Sequence, residues 1–309
     1  MKNWNWFHDH FSPSEIHLHG YSESISSLTT DFQAIEIIRS PVYGKMVIID
    51  GDVQSTERDE YIYHETLVHP AFIAHPNPET IYLAGGGEGA TLREILKHKS
   101  VKSVIKCDID VKAIQLFMEV LPEWHQNSFF DNRVTLLHED ARVNLENQKN
   151  NSFDIIVSDL TEPTEGGPSQ KLFSNEFFKI CYQKLKPDGF ICLQASLLQI
   201  NSYEMHASIL KTMQETFPIV RSLITFVPSF DTTWGFAIGS KSIDPLDIVP
   251  GEINKRIEER LTSKTKFYDG ISHGSLFSIS KDIGSLLSAN GRVIEDNKPF
   301  TLKKKKDIV

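Results

Sequence analysis

The run Gly85-Gly86-Gly87-Glu88-Gly89 stands between an apolar stretch, Ile81-Tyr82-Leu83-Ala84, and a helical pattern, Leu92-Arg93-Glu94-Ile95-Leu96. No other part of the chain constrains its fold as much. A strand must end there, turn sharply and start a helix, because glycines accept φ > 0 and let the backbone approach a ligand beside free helix N–H groups. Glu88 departs from the dinucleotide-binding pattern, since a carboxylate in the loop repels a pyrophosphate and attracts an ammonium or a sulfonium. The loop points to a cationic nucleoside such as an S-adenosyl sulfonium compound more than to NAD. Taken alone, a glycine turn is equally an ordinary strand-to-helix connection.

The texture of the chain differs on the two sides of this junction. Upstream, short β-type runs at Glu15–His19, Phe32–Ile38 and Lys45–Ile49, with Asp50-Gly51 as a hairpin turn, predict a small antiparallel sheet. The breaker His75-Pro76-Asn77-Pro78 follows, so residues 1–75 are expected to form an N-terminal β-hairpin domain and residues 76–309 a second one. Downstream, strands are expected at Thr80–Ala84, Ser103–Cys107, Val134–Leu137, Phe153–Ser158 and Phe190–Gln194. Helical patterns at Val111–Leu121 and Leu172–Leu185 separate them, and Lys186-Pro187-Asp188-Gly189 reads as a turn. This alternation predicts an α/β, Rossmann-like (class I methyltransferase-like), mostly parallel sheet with helices on both faces. Ser222–Phe226 and Trp234–Gly239 add an edge hairpin around Pro228, and a C-terminal helical extension begins with Glu252–Leu261.

Composition narrows the class of partner. The 309 residues carry a formal charge of −9, which disfavours nucleic acid and suits a small cation. No apolar run is long enough to span a bilayer, and Met1–His10 lacks the pattern of a secretory signal. Cys107, Cys181 and Cys192 show no metal-ligand spacing and read as core residues of a reduced, cytoplasmic protein. The basic run Lys303–Lys306 reads as a solvated tail.

In an open parallel sheet, ligands sit at the carboxyl ends of the strands. Those ends carry an acidic set: Glu88 after the first strand, Asp108-Ile109-Asp110 after the second, Glu139-Asp140-Ala141 after the third and Asp159 to Glu162 after the fourth. Asp108 falls about twenty residues past the glycines, where a carboxylate accepts from ribose hydroxyls, although Asp there also caps helices. Asp140 fits an adenine amino group or, again, a helix cap. The segment from Asp159 through Glu162 and Glu165 to Pro168 has carboxylates for a polycation, and glycines and prolines for a loop that closes over a site. An acidic surface loop is the plainer alternative.

These segments, together with Asp50 to Glu57, Asp59-Glu60-Tyr61-Ile62-Tyr63-His64-Glu65 and Pro228-Ser229-Phe230-Asp231-Thr232-Thr233-Trp234-Gly235, resemble the spermidine synthase family of polyamine aminopropyltransferases. The nearer likeness is to its thermospermine synthase branch, on Glu88, Tyr63-His64-Glu65 and Glu165-Gly166-Gly167-Pro168. The resemblance implies transfer of an aminopropyl group from decarboxylated S-adenosylmethionine, a co-substrate, to a polyamine amine, with 5′-methylthioadenosine released. It implies no cofactor or metal, small-molecule partners, and a homo-oligomer, dimer or tetramer. It makes Asp159 the catalytic residue. Donor binding falls to Gln54, His64, Gly85, Gly87, Glu88, Asp108, Asp140 and Ala141. Acceptor binding falls to Tyr63, Asp159, Glu162, Phe230 and Trp234. Glu162 stands where spermidine synthases usually have Asp, and Phe230 where they often have Tyr, so the acceptor end is the part expected to differ. Spermidine to thermospermine is the favoured conversion. An S-adenosylmethionine-dependent methyltransferase and a non-catalytic polyamine-binding protein are the alternatives.

Overall fold

The computed structural model describes residues 4–12 and 14–302; Met1–Asn3 and the basic run Lys303–Lys306 lie outside the described residues. Six strands precede the proline break: β1 (Asn5–Ser12), β2 (Glu15–Tyr21), β3 (Glu23–Thr29), β4 (Ala34–Ser40), β5 (Gly44–Ile49) and β6 (Asp52–Thr56). They form two sheets where one was expected. β1 and β2 pair as a separate hairpin, and β3 to β6 form a four-stranded antiparallel meander. β4 starts at Ala34, later than the predicted Phe32, because the Thr30 amide and the Gln33 carbonyl close a turn (2.9 Å). Asp50 and Gly51 make the expected two-residue turn, both at positive φ (51° and 89°), which matches the twist of the flanking strands.

The sequence pattern gave no sign of α1 (Glu60–Ala74). Most of its residues are buried, around its whole circumference, so it lacks the apolar stripe of a surface helix, and Pro70 sits inside it. Although α1 precedes the expected division at residue 75, it packs against the next helix and against strands of the large sheet.

Beyond the break the chain continues as β7 (Thr80–Gly85), α2 (Ala90–Leu96), β8 (Ser103–Cys107), α3 (Val111–Val120), α4 (Pro122–His125) and β9 (Val134–Leu137). Next come α5 (Ala141–Glu146), β10 (Phe153–Asp159), α6 (Asn175–Lys184), β11 (Leu185–Leu197), α7 (Glu204–Gln214), β12 (Ile219–Val227) and β13 (Thr232–Ser240). Helices α8 (Pro250–Arg260), α9 (Gly270–Leu276) and α10 (Lys281–Ala289) complete the C-terminal extension. The predicted helix at Leu172–Leu185 is shorter, because the Ser174 side chain caps α6 by accepting from the Phe177 amide after a 3₁₀ turn at Gln170–Phe173. Lys186–Gly189 is an excursion inside β11, whose register jumps from Leu185 opposite Phe153 to Phe190 opposite Ile155.

The seven-stranded sheet runs β12-β13-β11-β10-β7-β8-β9, parallel from β11 to β9 and antiparallel at β13. Its strands read as near-continuous apolar runs because both faces are covered. Alternate residues of β7 show this, with Ile81 and Leu83 packing on the side of α1, α2 and α8, and Tyr82 and Ala84 on the side of α5, α6 and α7. Strand order reverses between β7 and β10, where Gly85 lies opposite Asp159. A crevice opens at such a switch point.

The last described residues fold back against α5, α6 and the loop after β10. The Asp296 carboxylate takes two hydrogen bonds from Arg142 (2.6 Å each) and one from Ser174 (2.6 Å), and the Leu302 amide donates to the Pro163 carbonyl (2.8 Å).

Candidate active site

Two glycines set the shape of the turn after β7. Gly85 has φ +76°, and a Cβ there would lie 2.2 Å from the Asp159 carbonyl oxygen. At Gly89, with φ +82°, a Cβ would strike Phe129 and His125 at 2.6–2.7 Å. The Gly86 amide donates to the Asp159 carbonyl (2.7 Å), which locks the glycine loop to the end of β10. Beneath the loop lies a fully buried cation that the sequence reading missed. Lys106 Nζ donates to the Gly85 carbonyl (2.9 Å) and to Asp108 Oδ2 (3.3 Å). A lone Lys in the otherwise apolar strand Val104-Ile105-Lys106-Cys107 was the available signal.

The cleft formed here encloses about 1220 Å³, its open mouth included. Every candidate site residue lines it. The glycine turn contributes Gly85, Gly87 and Glu88, the next two strand ends Asp108, Asp140 and Ala141, and the end of β10 Asp159 and Glu162. The N-terminal meander supplies Gln54, α1 supplies Tyr63 and His64, and the β12–β13 turn and β13 supply Phe230 and Trp234. Unforeseen lining residues include Gln33, Val47 and Ile49 from the meander and Gln194 from β11. Glu165, counted with the acidic loop, is exposed and does not line the cleft.

Asp110, and not Asp108, caps α3 by accepting from the Ala113 amide, while Asp108 Oδ1 takes the Asp110 amide (3.1 Å). Asp140 does cap a helix, its Oδ1 accepting from the Arg142 and Val143 amides (2.8 and 3.1 Å), yet it also faces the cleft. The capping and lining readings of Asp140 therefore both describe it.

At the centre, Asp159 Oδ1 accepts from the Tyr63 hydroxyl (2.9 Å) and Oδ2 from Thr91. Burial and then the Glu88 charge push the Asp159 carboxyl above its ordinary range, against the opposing pull of His64, Thr91 and Tyr63. The carboxylates are not bare. His64 Nε2 lies 2.7 Å from Glu88 Oε1, and its Nδ1 lies 2.8 Å from Glu60 Oε2 and 2.7 Å from the Glu60 carbonyl. Both ring nitrogens face acceptors only, so both carry protons and the ring is an imidazolium. Burial alone would lower its pKa, but Glu60 and Glu88 together hold it up at about 10. Burial likewise raises Glu88, and the His64 bond and charge outweigh that, leaving Glu88 below its ordinary value. Glu60 is shared with Arg93 (2.8 Å), whose Nε reaches Glu94 (2.8 Å), which in turn meets His69 (3.0 Å). A chain of buried ionisable side chains thus runs from the cleft into the core.

The aromatic end of the cleft is assembled by Asp59. Its carboxylate accepts from the Ser229 amide (2.6 Å) and hydroxyl (3.0 Å), tying the Pro228–Phe230 turn to the start of α1. Phe230 then meets Tyr63 and Trp234 edge-on, with ring centroids 6.4 and 5.2 Å apart. Such a wall suits methylene segments between charged nitrogens.

Residues 60–247 match the spermine/spermidine synthase domain, and residues 27–57 match the spermidine synthase tetramerisation domain. A polyamine aminopropyltransferase of Sulfurisphaera tokodaii is 38% identical over 302 residues, covering 98% of this chain and 99% of the relative. The thermospermine synthase ACAULIS5 of Arabidopsis thaliana is 38% identical over 275 residues, 88% of this chain and 80% of its own. Among solved structures, a spermidine synthase in complex with the transition state analogue AdoDATO superposes with a TM-score of 0.85 at 28% identity, covering 92% of this chain and 95% of its own. Spermidine synthase from Thermotoga maritima does so at the same score and identity, covering 93% and 96%. No helix among the described residues is long and apolar enough to cross a membrane.

Proposed function

Since the chain belongs to the spermine and spermidine synthase family, a polyamine aminopropyltransferase drawing on decarboxylated S-adenosylmethionine, we propose that its acceptor is spermidine and its product thermospermine. The observation that carries this reading is the part of the cleft where Phe230, Trp234 and Tyr63 pack edge-on and share the lining with the carboxylates Asp159 and Glu162. Aromatic rings and carboxylates lining one cleft suit a linear amine whose charges are separated by methylenes. Phe230 offers no hydroxyl there to select a short diamine.

In this reading the nucleoside of the donor lies across the strand ends, its ribose at Asp108 and its adenine at Asp140 and Ala141, with Gln54, His64, Gly85, Gly87 and Glu88 around the sulfonium and terminal ammonium. The acceptor amine arrives protonated, because an alkyl amine has a pKa near 10. Asp159 takes its proton, as a buried carboxylate with a raised pKa can, and Tyr63 and Thr91 keep that carboxylate oriented. The freed lone pair attacks the methylene next to sulfur. A C–N bond forms, the C–S bond breaks, and its electron pair stays on sulfur as the neutral thioether of methylthioadenosine. The sulfonium charge vanishes as the new amine takes one up, so the site conserves charge through the step. Holding the two reactants in line contributes several kcal/mol.

The raised thiols of Cys181 and Cys192, buried and unpaired, accord with a cytoplasmic enzyme, and the match over 27–57 accords with a dimer or tetramer. Chromatography of the products made from decarboxylated donor with putrescine, spermidine or spermine tests the assignment. Thermospermine from spermidine, with methylthioadenosine in equal amount, is the expected result. Exclusive spermidine from putrescine overturns the acceptor, and S-adenosylhomocysteine from the carboxylated donor overturns the transfer.

A further inference from the structure

Ser196 is a non-glycine residue in the left-handed region, with φ +68°. It lies in a bulge of β11, where the register against β13 shifts between Gln194 opposite Phe236 and Leu197 opposite Trp234. A residue with a side chain is held there only when its surroundings over-determine it. Gln194, His206 and Gly235 do so. The Ser196 amide donates to Oε1 of Gln194 (2.9 Å), whose Nε2 donates to the Leu160 carbonyl (2.8 Å). The His206 ring, 0% exposed, donates from Nδ1 to the Ala195 carbonyl (3.0 Å), and its Nε2 accepts from Ser222 (2.7 Å). Gly235 leaves the space for that ring, since a Cβ there would lie 2.3 Å from His206 Nδ1.

What this bulge presents is one hydroxyl. Ser196 Oγ donates to Oε1 of Glu162, and Ser196 itself is 3% exposed and does not line the cleft, whereas Glu162 does. The backbone of Glu162 is pinned too, its carbonyl accepting from the Thr164 amide (2.9 Å) and the Ser169 hydroxyl (3.1 Å). The longer reach of Glu relative to Asp is thus taken up by a partner at the far end of the side chain.

We propose that Ser196 is a positioning residue for acceptor choice, its bulge holding the Glu162 carboxylate at a fixed depth in the cleft against the acceptor's distal ammonium. The proposal rests on the aminopropyl reading of the cleft and deepens it. Ser196 acts through Glu162 and touches neither substrate.

Ser196→Gly and Ser196→Ala test this in the full-length enzyme, with steady-state kinetics for donor and spermidine and thermal unfolding of the apoprotein. Glycine takes φ +68° without a side-chain penalty, so Ser196→Gly keeps or raises Tm while removing the hydroxyl. The expected result is a KM for spermidine higher by about tenfold in both variants, the scale of one hydrogen bond to a charged group. The donor KM and methylthioadenosine binding stay as in wild type. Glu162→Ala raises the amine KM as well, and adding Ser196→Gly to it raises the KM no further. An unchanged spermidine KM in Ser196→Gly overturns the proposal. Equal rises for donor and amine with a lowered Tm, or additive effects in the double variant, also overturn it. Wild-type enzyme that turns over no amine refutes the aminopropyl reading itself, a distinct outcome.

Discussion

Replacing Glu60 by Gln isolates the ion pair that keeps His64 charged. The side chain is 7% exposed and its Oε2 receives both His64 Nδ1 and Arg93, each at 2.8 Å. Gln preserves the shape and removes the charge, leaving His64 and Arg93 with one carboxylate each. Breaking a buried pair of this kind costs about 3–5 kcal/mol. A second route gives the same scale. His64 rises from 6.5 to about 10 on folding, which at about 1.4 kcal/mol per pH unit is on the order of 5 kcal/mol for Glu60 and Glu88 together, of which Glu60 supplies a part. The folded value lies above the unfolded one, so this stability is fully present below pH 6.5 and is lost as pH rises through about 10. Equilibrium denaturation of wild type and Glu60→Gln between pH 6 and 10.5 reads both quantities. The variant loses about 3–5 kcal/mol near neutrality, and the gap narrows as wild type sheds the His64 proton. Thermal unfolding at pH 7 falls by about 6–10 °C at roughly 2 °C per kcal/mol. A gap that stays constant across the pH range refutes the imidazolium assignment, since the loss then has nothing to do with a proton on His64.

Asp159→Asn removes the proposed proton acceptor, so kcat is expected to fall by about 10³-fold while methylthioadenosine binding, followed calorimetrically, stays near wild type. Folding raises the Asp159 pKa, so its ionised form opposes folding, and the same variant unfolds at higher temperature at neutral pH. Gly85→Ala places a Cβ 2.2 Å from the Asp159 carbonyl at a φ of +76°, and circular dichroism melts will show a loss of more than about 2 kcal/mol together with loss of donor binding. Phe230→Tyr restores a hydroxyl at the acceptor end, and product analysis will show the ratio of putrescine to spermidine turnover rising about tenfold.

The parallel sheet was legible because its strands are short apolar runs set off by breakers, and β8 and β9 fall at the predicted residues. The acids that line the cleft were legible for a related reason, since a parallel sheet delivers the residue after each strand to one edge, where they stand out against the apolar runs; Gln54, Tyr63, His64, Phe230 and Trp234 came only with the family resemblance. Elements whose pattern is set by tertiary surroundings were not legible. Helix α1 is buried around its circumference and shows no stripe, and β3 is written in serines, Glu23-Ser24-Ile25-Ser26-Ser27. The charge chain Glu60–Arg93–Glu94–His69 was hidden because its members sit in two segments, residues 60–69 and 93–94, that meet only once α1 packs on α2. Lys106 was a single charge in an apolar strand, and Ser196 was one of two polar residues, with Gln194, at the end of the apolar run of residues 190–193; both were visible as exceptions but without a partner in the sequence to explain them.

The imidazolium between Glu60 and Glu88 gives the cleft a resident counterion. Unaccompanied carboxylates at four strand ends would hold any abundant polyamine, substrate and product alike, in whichever half of the cleft it reached first. With Glu88 already engaged by His64 and Asp108 by Lys106, the half proposed to take the nucleoside offers an incoming cation little net charge. Only a molecule that also brings a ribose and a base gains enough to settle there. Charge then remains as the attractant in the half around Asp159 and Glu162, and in the proposed reading the two substrates would sort themselves to opposite ends of a single acidic groove.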